Sequence, residues 1–160
     1  MIISEGHTVP NTKVFIFEND PKETSIKEII GEDKVILFGL PGAFTKTCST
    51  KHLPGFLNAT NLLKEKNIKK VICISVNDPF VMDAWGKQHN VNGKILMVAD
   101  NKGEFTKSIG AQVDLNHRGL GIRSGRYTML IENGKVIKIS KEEIAGKCES
   151  TAAENFLKEI

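Results

Sequence analysis

Three apolar runs, Val35–Leu40, Val71–Val76 and Ile95–Ala99, restrict the fold more than any other feature of this sequence. They are short, rich in Val and Ile, and lack polar alternation, which suits strands buried on both faces. Strands of that kind pair in parallel, with crossover helices covering both sides of the sheet. The intervals carry helix signals. Thr24 through Ile30 has Thr24 or Ser25 as its cap and Gly31 as its stop. Asp78 caps and Pro79 opens a helix whose apolar face is Phe80, Val81, Ala84 and Trp85. Glu104–Ile109 predicts a short helix ending at Gly110, and Val14–Phe17 a strand closed by the turn residues Glu18-Asn19-Asp20-Pro21. Asn133-Gly134 between the strand-like runs Arg126–Ile131 and Lys135–Ile139 marks a hairpin. Ser150-Thr151 then caps a closing helix with Ala153, Phe156, Leu157 and Ile160 on one side. The expected architecture is α/β, a central mixed β-sheet flanked by helices on both faces.

A length of 160 residues, with no repeat, linker or low-complexity stretch, fits a single domain over 1–160. Twenty-two Lys and Arg are scattered among nineteen acids. That mild balance argues against nucleic acid and against a membrane surface as partners. The start, Met1-Ile2-Ile3-Ser4-Glu5, lacks a signal peptide's basic and apolar regions. The three cysteines, Cys48, Cys73 and Cys148, make neither a secreted disulfide framework nor a C-x-x-C pair. A cytoplasmic chain with reduced thiols is the expectation.

The chemistry gathers at Pro41-Gly42-Ala43-Phe44-Thr45-Lys46-Thr47-Cys48, between the Val35–Leu40 strand and a helical segment from about Thr47 to Glu65. Pro54 inside that segment predicts a kink or break near Leu53. Cys48 falls in or near the first helical turn, where unpaired N–H groups and the helix dipole favour a thiolate. A helix terminus supplies only ~0.3–1 kcal/mol, so a reactive thiol also needs a cation from elsewhere in the chain. Thr45 offers a hydroxyl three residues upstream. Cys48 and His52 share i, i+4 spacing, but no further ligands at suitable spacing accompany them, so no metal site is expected. Gly119, Gly121 and Gly125 do not form a phosphate loop and read as a relaxed loop, and Trp85 reads as core.

Pro41, Thr45 and Cys48 meet the pattern P-x-x-x-T-x-x-C, and with Lys51-His52-Leu53-Pro54-Gly55-Phe56, Ser75-Val76-Asn77-Asp78-Pro79-Phe80 and Ser124-Gly125-Arg126-Tyr127 the chain resembles a peroxiredoxin. The resemblance is to the type II, peroxiredoxin-five-like group, with matches from about Val35 to Val136. It implies a thioredoxin-like fold and a thiol peroxidase that reduces hydrogen peroxide and alkyl hydroperoxides without metal, haem or flavin. Cys48 would be the peroxidatic nucleophile, and Thr45 would hydrogen-bond thiolate and peroxide. Arg126 would stabilise the thiolate and polarise the O–O bond, and Pro41 would shield the sulfur. Arg123 is a rival cation, set aside because Arg126 matches the Ser-Gly-Arg-Tyr context. His52 is a candidate orienting residue. Lys46 stands where most relatives carry a second proline, which predicts a less rigid loop with the lysine in solvent.

The resemblance leaves the resolving step open. Cys73, mid-strand among Val and Ile, reads as a small buried hydrophobe, although some relatives, chiefly plant ones, have a resolving role assigned to a cysteine at this spacing. Cys148, in the expected loop Ala145-Gly146-Lys147-Cys148-Glu149, should be more exposed. Atypical two-cysteine members place a resolving cysteine near it; single-cysteine members rely on glutathione and glutaredoxin instead. The reading leans to the single-cysteine cycle, with thioredoxin as the reductant if a disulfide forms. A homodimer is expected from the family. The alternative function is a peroxide-sensing or chaperone-like thiol protein with slow turnover.

Overall fold

In the computed structural model, which describes residues 1–144 and 146–160, the three apolar runs lie side by side in the middle of a sheet. The strands are β1 (Lys13–Phe17), β2 (Pro21–Ser25), β3 (Lys34–Gly39), β4 (Lys70–Ser75), β5 (Leu96–Ala99), β6 (Gln112–Asp114), β7 (Ile122–Ser124), β8 (Tyr127–Glu132) and β9 (Lys135–Lys141). Seven of them form one sheet in the order β2-β1-β5-β4-β3-β8-β9, and β6 pairs with β7 in a separate small hairpin. β3, β4 and β5 are parallel, whereas β1, β2, β8 and β9 join antiparallel. The central mixed sheet stands as the apolar runs predict.

Alternation along the strands sorts the core into two layers. Ile36, Phe38 and Leu40 from β3 and its end, with Val71 and Cys73 from β4, face one side. Val35, Leu37, Ile72 and Ile74 face the other. The first layer is covered by α2 (Leu53–Leu57), α3 (Thr60–Glu65), α4 (Pro79–Gln88) and α6 (Ala153–Phe156). The second is covered by α1 (Ile26–Ile30) and α5 (Glu104–Ser108). Cys48 lies in the first layer, so the parity of the sheet decides which residues of β4 and β8 approach it.

Several local expectations change. Pro21–Ser25 is not the approach to a helix but an edge strand paired with β1 across a turn in which Asn19 has φ 64°. Its polar Lys22 and Glu23 face solvent, so it carries no apolar pattern. Ser25 caps α1 as read, its Oγ accepting from the Glu28 N–H, and Asp78 caps α4 by accepting from the Val81 N–H. On α4 the buried residues are Met82, Trp85 and Gly86; Ala84 is exposed, and Phe80 is 60% exposed with its ring edge-on to Phe17. Neither Ser150 nor Thr151 caps the closing helix, because the Thr151 N–H and hydroxyl both donate to the Glu142 carboxylate. The expected loop over 145–149 includes Ala145, which lies outside the described residues.

The helix predicted over 47–65 is interrupted where Pro54 requires it. Proline has no N–H to continue the ladder. The chain answers with a π-helical turn over Cys48–His52, in which the Leu53 N–H reaches back to the Cys48 carbonyl, before α2 resumes. A second break at Asn58-Ala59 separates α2 from α3. Among the described residues no helix is long and apolar enough to cross a membrane.

Gly39, at the end of β3, pairs with Tyr127 on β8, and a Cβ there would lie 2.6 Å from the Tyr127 hydroxyl oxygen and against its ring. Both residues sit in the sheet interior, so neither yields easily. Gly39→Ala should lower the unfolding free energy by about 1–3 kcal/mol in urea titration, the usual cost of overpacking a core. An unchanged midpoint would show that the ring moves aside freely.

Candidate active site

The peptide leaves the sheet at Leu40 and crosses to the helix through Pro41–Thr45. One hydrogen bond and one backbone conformation fix that crossing. The Ala43 N–H donates to Asn77 Oδ1 at 3.0 Å, and Phe44 takes the left-handed conformation with φ 64°. Helical geometry opens at Lys46, and the Ser49 N–H bonds to the Thr45 carbonyl at 2.9 Å. Cys48 therefore occupies the first turn of a helix, as the sequence predicts, and is fully buried.

The cation arrives from β8. Arg126, immediately before Tyr127, shares strand parity with Thr128 and Leu130, which puts all three on the Cys48 side of the sheet. Its Nη2 donates to Cys48 Sγ at 3.2 Å and its Nη1 donates to His52 Nδ1 at 3.1 Å. Arg126 is only 2% exposed, so little water screens this contact. On the far side of the imidazole, Nε2 lies 3.1 Å from Thr128 Oγ1, whose hydroxyl donates to the Thr151 carbonyl at 2.8 Å. The single Thr128 proton goes to that carbonyl, so Nε2–H must be the donor to Thr128 and Nδ1 the bare acceptor for arginine. Complete burial and the neighbouring Arg126 charge hold the His52 imidazole well below its ordinary pKa, opposed by a hydrogen bond to the Thr151 backbone. His52 is neutral and bridges Arg126 and Thr128.

The remaining predicted residues separate into those on the sulfur and those around it. Thr45 does not donate to the thiol: its hydroxyl donates to the Gly42 carbonyl at 2.7 Å. With Pro41 and Arg126 it lines a pocket of about 310 Å³ whose apolar walls include Leu115 and Leu120. Arg123, the rival cation, instead ties the crossing down, with Nη1 donating to the Pro41 carbonyl at 3.2 Å and Nε to the Leu120 carbonyl at 2.8 Å. Lys46 is exposed, as read. Neither the pocket beside Arg126 nor a larger groove of about 630 Å³ between 50–62 and 152–157 is lined by a cysteine; the first meets the site through Arg126.

Cys73 is fully buried in the same core layer as Cys48, and burial pushes its thiol well up, with Cys48 adding to the effect and Arg126 opposing it. Cys148 corrects the sequence reading: it is 2% exposed, not an open loop thiol. The Thr151 hydroxyl lies 3.7 Å from its sulfur, and burial raises its pKa against the pull of Thr151, Arg126 and Lys51. All three cysteines are free. Among the described residues no group of three or more His, Cys, Asp or Glu is placed to hold a metal.

Sequence reading did not find Thr128, Asn77 or the bond from Trp85 Nε1 to Ser49 Oγ at 3.0 Å. Thr128 was within reach, since it lies two residues after Arg126 on a strand and so must share its face. Asn77 and Ser49 act through long-range contacts that no local pattern announces.

Comparison with known proteins places the whole chain in one family. The family described as Redoxin matches residues 4–157. Peroxiredoxin-2D of Arabidopsis thaliana is 46% identical over 160 residues, covering 99% of this chain and 98% of that protein. The structure of reduced Prx3 from Vibrio vulnificus in complex with H2O2 superposes with a TM-score of 0.91 at 39% identity, covering 98% of each chain. The Plasmodium falciparum antioxidant protein, a 1-Cys peroxiredoxin, superposes with a TM-score of 0.91 at 31% identity over 99% of this chain and 100% of that one. With a buried cysteine, an arginine on its sulfur and this likeness over its whole length, the chain belongs to the redoxin family as a type II peroxiredoxin with the thioredoxin-like fold, and is a thiol peroxidase.

Proposed function

We propose that Cys48 is the peroxidatic nucleophile and that the observation carrying this is the Arg126 guanidinium 3.2 Å from its sulfur in a buried site. The guanidinium stays charged at working pH and donates to the sulfur that reacts. The thiolate attacks the terminal peroxide oxygen, an S–O bond forms and the O–O bond breaks. The electron pair leaves on the distal oxygen as hydroxide or alkoxide, which takes a proton from solvent. Charge grows on that oxygen during the step, so a preorganised cation stabilises the transition state more than the ground state. Thr45 and Pro41 line the pocket beside Arg126 in which hydrogen peroxide or an alkyl hydroperoxide would bind. His52 is a positioning residue that holds Arg126. As proposed, the cycle draws on the Cys48 sulfur, the Arg126 guanidinium, solvent and an external thiol, and calls on no metal, haem or flavin.

For the return step we favour the single-cysteine route. Glutathione attacks the Cys48 sulfenic acid, giving a mixed disulfide and water, and glutaredoxin or a second thiol releases the reduced enzyme. Burial and raised pKa values keep Cys73 and Cys148 from competing in this conformation, and the 1-Cys relative supports the route. Three free thiols favour a reducing, cytoplasmic setting. Phe44, Phe80 and Ile122, each about half exposed or more, are the apolar side chains around which a homodimer would form.

Treatment with one equivalent of peroxide should add one oxygen to Cys48. Glutathione should then give an adduct there in both the wild type and Cys148→Ser, read by intact mass and peptide mapping. Loss of two hydrogens in the wild type, mapped to Cys48 and Cys148 or Cys73, would instead establish an internal disulfide reduced by thioredoxin.

His52 gives a pH prediction. Its folded pKa lies below its unfolded value, so below ~6.5 the unfolded chain binds a proton that the folded chain refuses. Stability then falls with acidification by up to about 1.4 kcal/mol per pH unit from this one group. In urea titrations between pH 7 and 5, His52→Gln should start less stable but lose less on acidification. Parallel losses in the two proteins would show that the imidazole is not held neutral.

A further inference from the structure

Besides Arg126, three basic side chains stand around the pocket of about 310 Å³, and the chemistry at Cys48 uses none of them. They are Lys46, His117 and Arg118, and no Asp or Glu lines the pocket with them. Arg126 is buried and committed to Cys48 Sγ and His52 Nδ1, whereas all three others are exposed. The apolar walls run from buried Leu115 through half-buried Leu120 to exposed Ile144. The pocket therefore has a buried cation at one end, an apolar stretch, and exposed cations at its rim. Local bonds hold that rim in place. His117 and Arg118 lie in a 3-10 turn over Asn116–Arg118, in which the Arg118 N–H bonds to the Leu115 carbonyl at 3.0 Å. Lys46 opens the helix of Cys48, its carbonyl accepting from the Thr50 hydroxyl at 2.8 Å. Arg123 ties the Leu120 carbonyl to the Pro41 carbonyl and so joins the two walls. Among the described residues neither Lys46 nor Arg118 forms an ion pair with a carboxylate, although Lys13, Lys22, Lys87 and Lys138 do. Asp114, the acid before the turn, accepts from the Asn116 N–H and side-chain amide, and Glu143, beside Ile144, lines a separate cavity.

We propose that Lys46 and Arg118 are specificity-determining residues, and that this pocket selects organic hydroperoxides bearing a carboxylate. The –OOH group lies toward Arg126, the carbon chain on Leu115, Leu120 and Ile144, and the carboxylate at Lys46 and Arg118. Hydrogen peroxide offers nothing to the rim, and a neutral alkyl hydroperoxide uses only the apolar walls. A carboxylate adds a bidentate partner for the Arg118 guanidinium and a point-charge partner for the Lys46 ammonium. Contact remote from the reacting oxygens then raises kcat/KM for the acid over its neutral analogue. The chemical step is unchanged: the Cys48 sulfur takes the terminal oxygen and is oxidised, the O–O bond breaks, and the alkoxide takes a proton from solvent. The product is a hydroxy acid.

The inference rests on Cys48 being peroxidatic and names the substrate class of that same site. Its test compares the terminal hydroperoxides of hexanoic and decanoic acid with their methyl esters, on the reduced full chain with no added thiol. Oxidation of Cys48 is followed by the fluorescence of Trp85. The acid-to-ester ratio of second-order rate constants is taken within each variant, so that a general loss of activity cancels. Wild type should favour the acid about tenfold for at least one chain length at low salt, and the ratio should shrink as ionic strength rises. Lys46→Gln and Arg118→Gln should each lower it about two- to fivefold, the range for an exposed ion pair, and the double variant should bring it close to one. Lys107→Gln removes the same charge from α5, on the opposite face of the sheet, and should leave the ratio at its wild-type value. Three results would each overturn the selection while Cys48 still reacts with hydrogen peroxide. They are a wild-type ratio near one at both chain lengths, a double variant that keeps the wild-type ratio, and an equal fall in Lys107→Gln. Wild-type Cys48 inert to hydrogen peroxide would overturn the reading beneath, and the selection with it.

Discussion

The contact between the Arg126 guanidinium and the Cys48 sulfur is the interaction on which the rest of this structure depends. It joins the first turn of the helix after β3 to the start of strand β8, and a hydrogen bond from a charged donor is worth ~1.5–3 kcal/mol against ~0.3–1 kcal/mol for a helix terminus. The contact has a cost, because a cation 2% exposed must be held by groups that do not neutralise it. A neutral imidazole accepting through Nδ1 meets that requirement, as a carboxylate would not. His52 and Thr128 are buried for this reason, and their chain ends on a backbone carbonyl, which carries no charge.

The sheet makes that contact possible by register. β3 ends where the reactive crossing begins, and β8 lies antiparallel beside it with Thr128 opposite Phe38 and Tyr127 opposite Gly39. Continuing that register by one residue sets Arg126 at the mouth of the β3–helix crossing. A slip of one residue would send Arg126 and Thr128 to the opposite face, into the apolar layer of Val35, Leu37 and Ile72, and Tyr127 and Met129 to the Cys48 side. The tight fit of Gly39 against Tyr127 opposes such a slip from inside the sheet. The π-helical turn has a matching role on the helix side. By widening the turn between Cys48 and Leu53 it accommodates Pro54 while His52 still meets Arg126.

Much of this was legible in the sequence because it depends on local pattern. The buried runs gave the central strands, Asn133-Gly134 gave the β8–β9 hairpin, and Pro54 gave the interruption next to Cys48. Cys48 and Arg126 were legible through their motifs, and the structure brings them together. What escaped detection depends on partners distant in sequence. β2 is polar because it is an edge, and β6 and β7 are too short to show a period. Cys148 reads as more exposed because Ala145–Glu149 reads as a loop before the last helix; it is buried, in a segment whose Glu149 and Thr151 N–H groups bond to the Glu142 carboxylate. Ser150 and Thr151 resemble helix caps for the same local reason, and the same carboxylate takes their donors away from that task.

The most direct measurement is the second-order rate constant of Cys48 with hydrogen peroxide, read by stopped-flow fluorescence of the buried Trp85, for wild type, Arg126→Lys and Arg126→Gln. If the guanidinium makes this thiol a peroxidase, Arg126→Gln should lose about 100-fold or more, the range for deleting a preorganised transition-state donor. Arg126→Lys should recover only part of that loss, because an ammonium cannot hold both His52 and the sulfur in the same fork. Oxidation of Arg126→Gln at the wild-type rate would contradict the account.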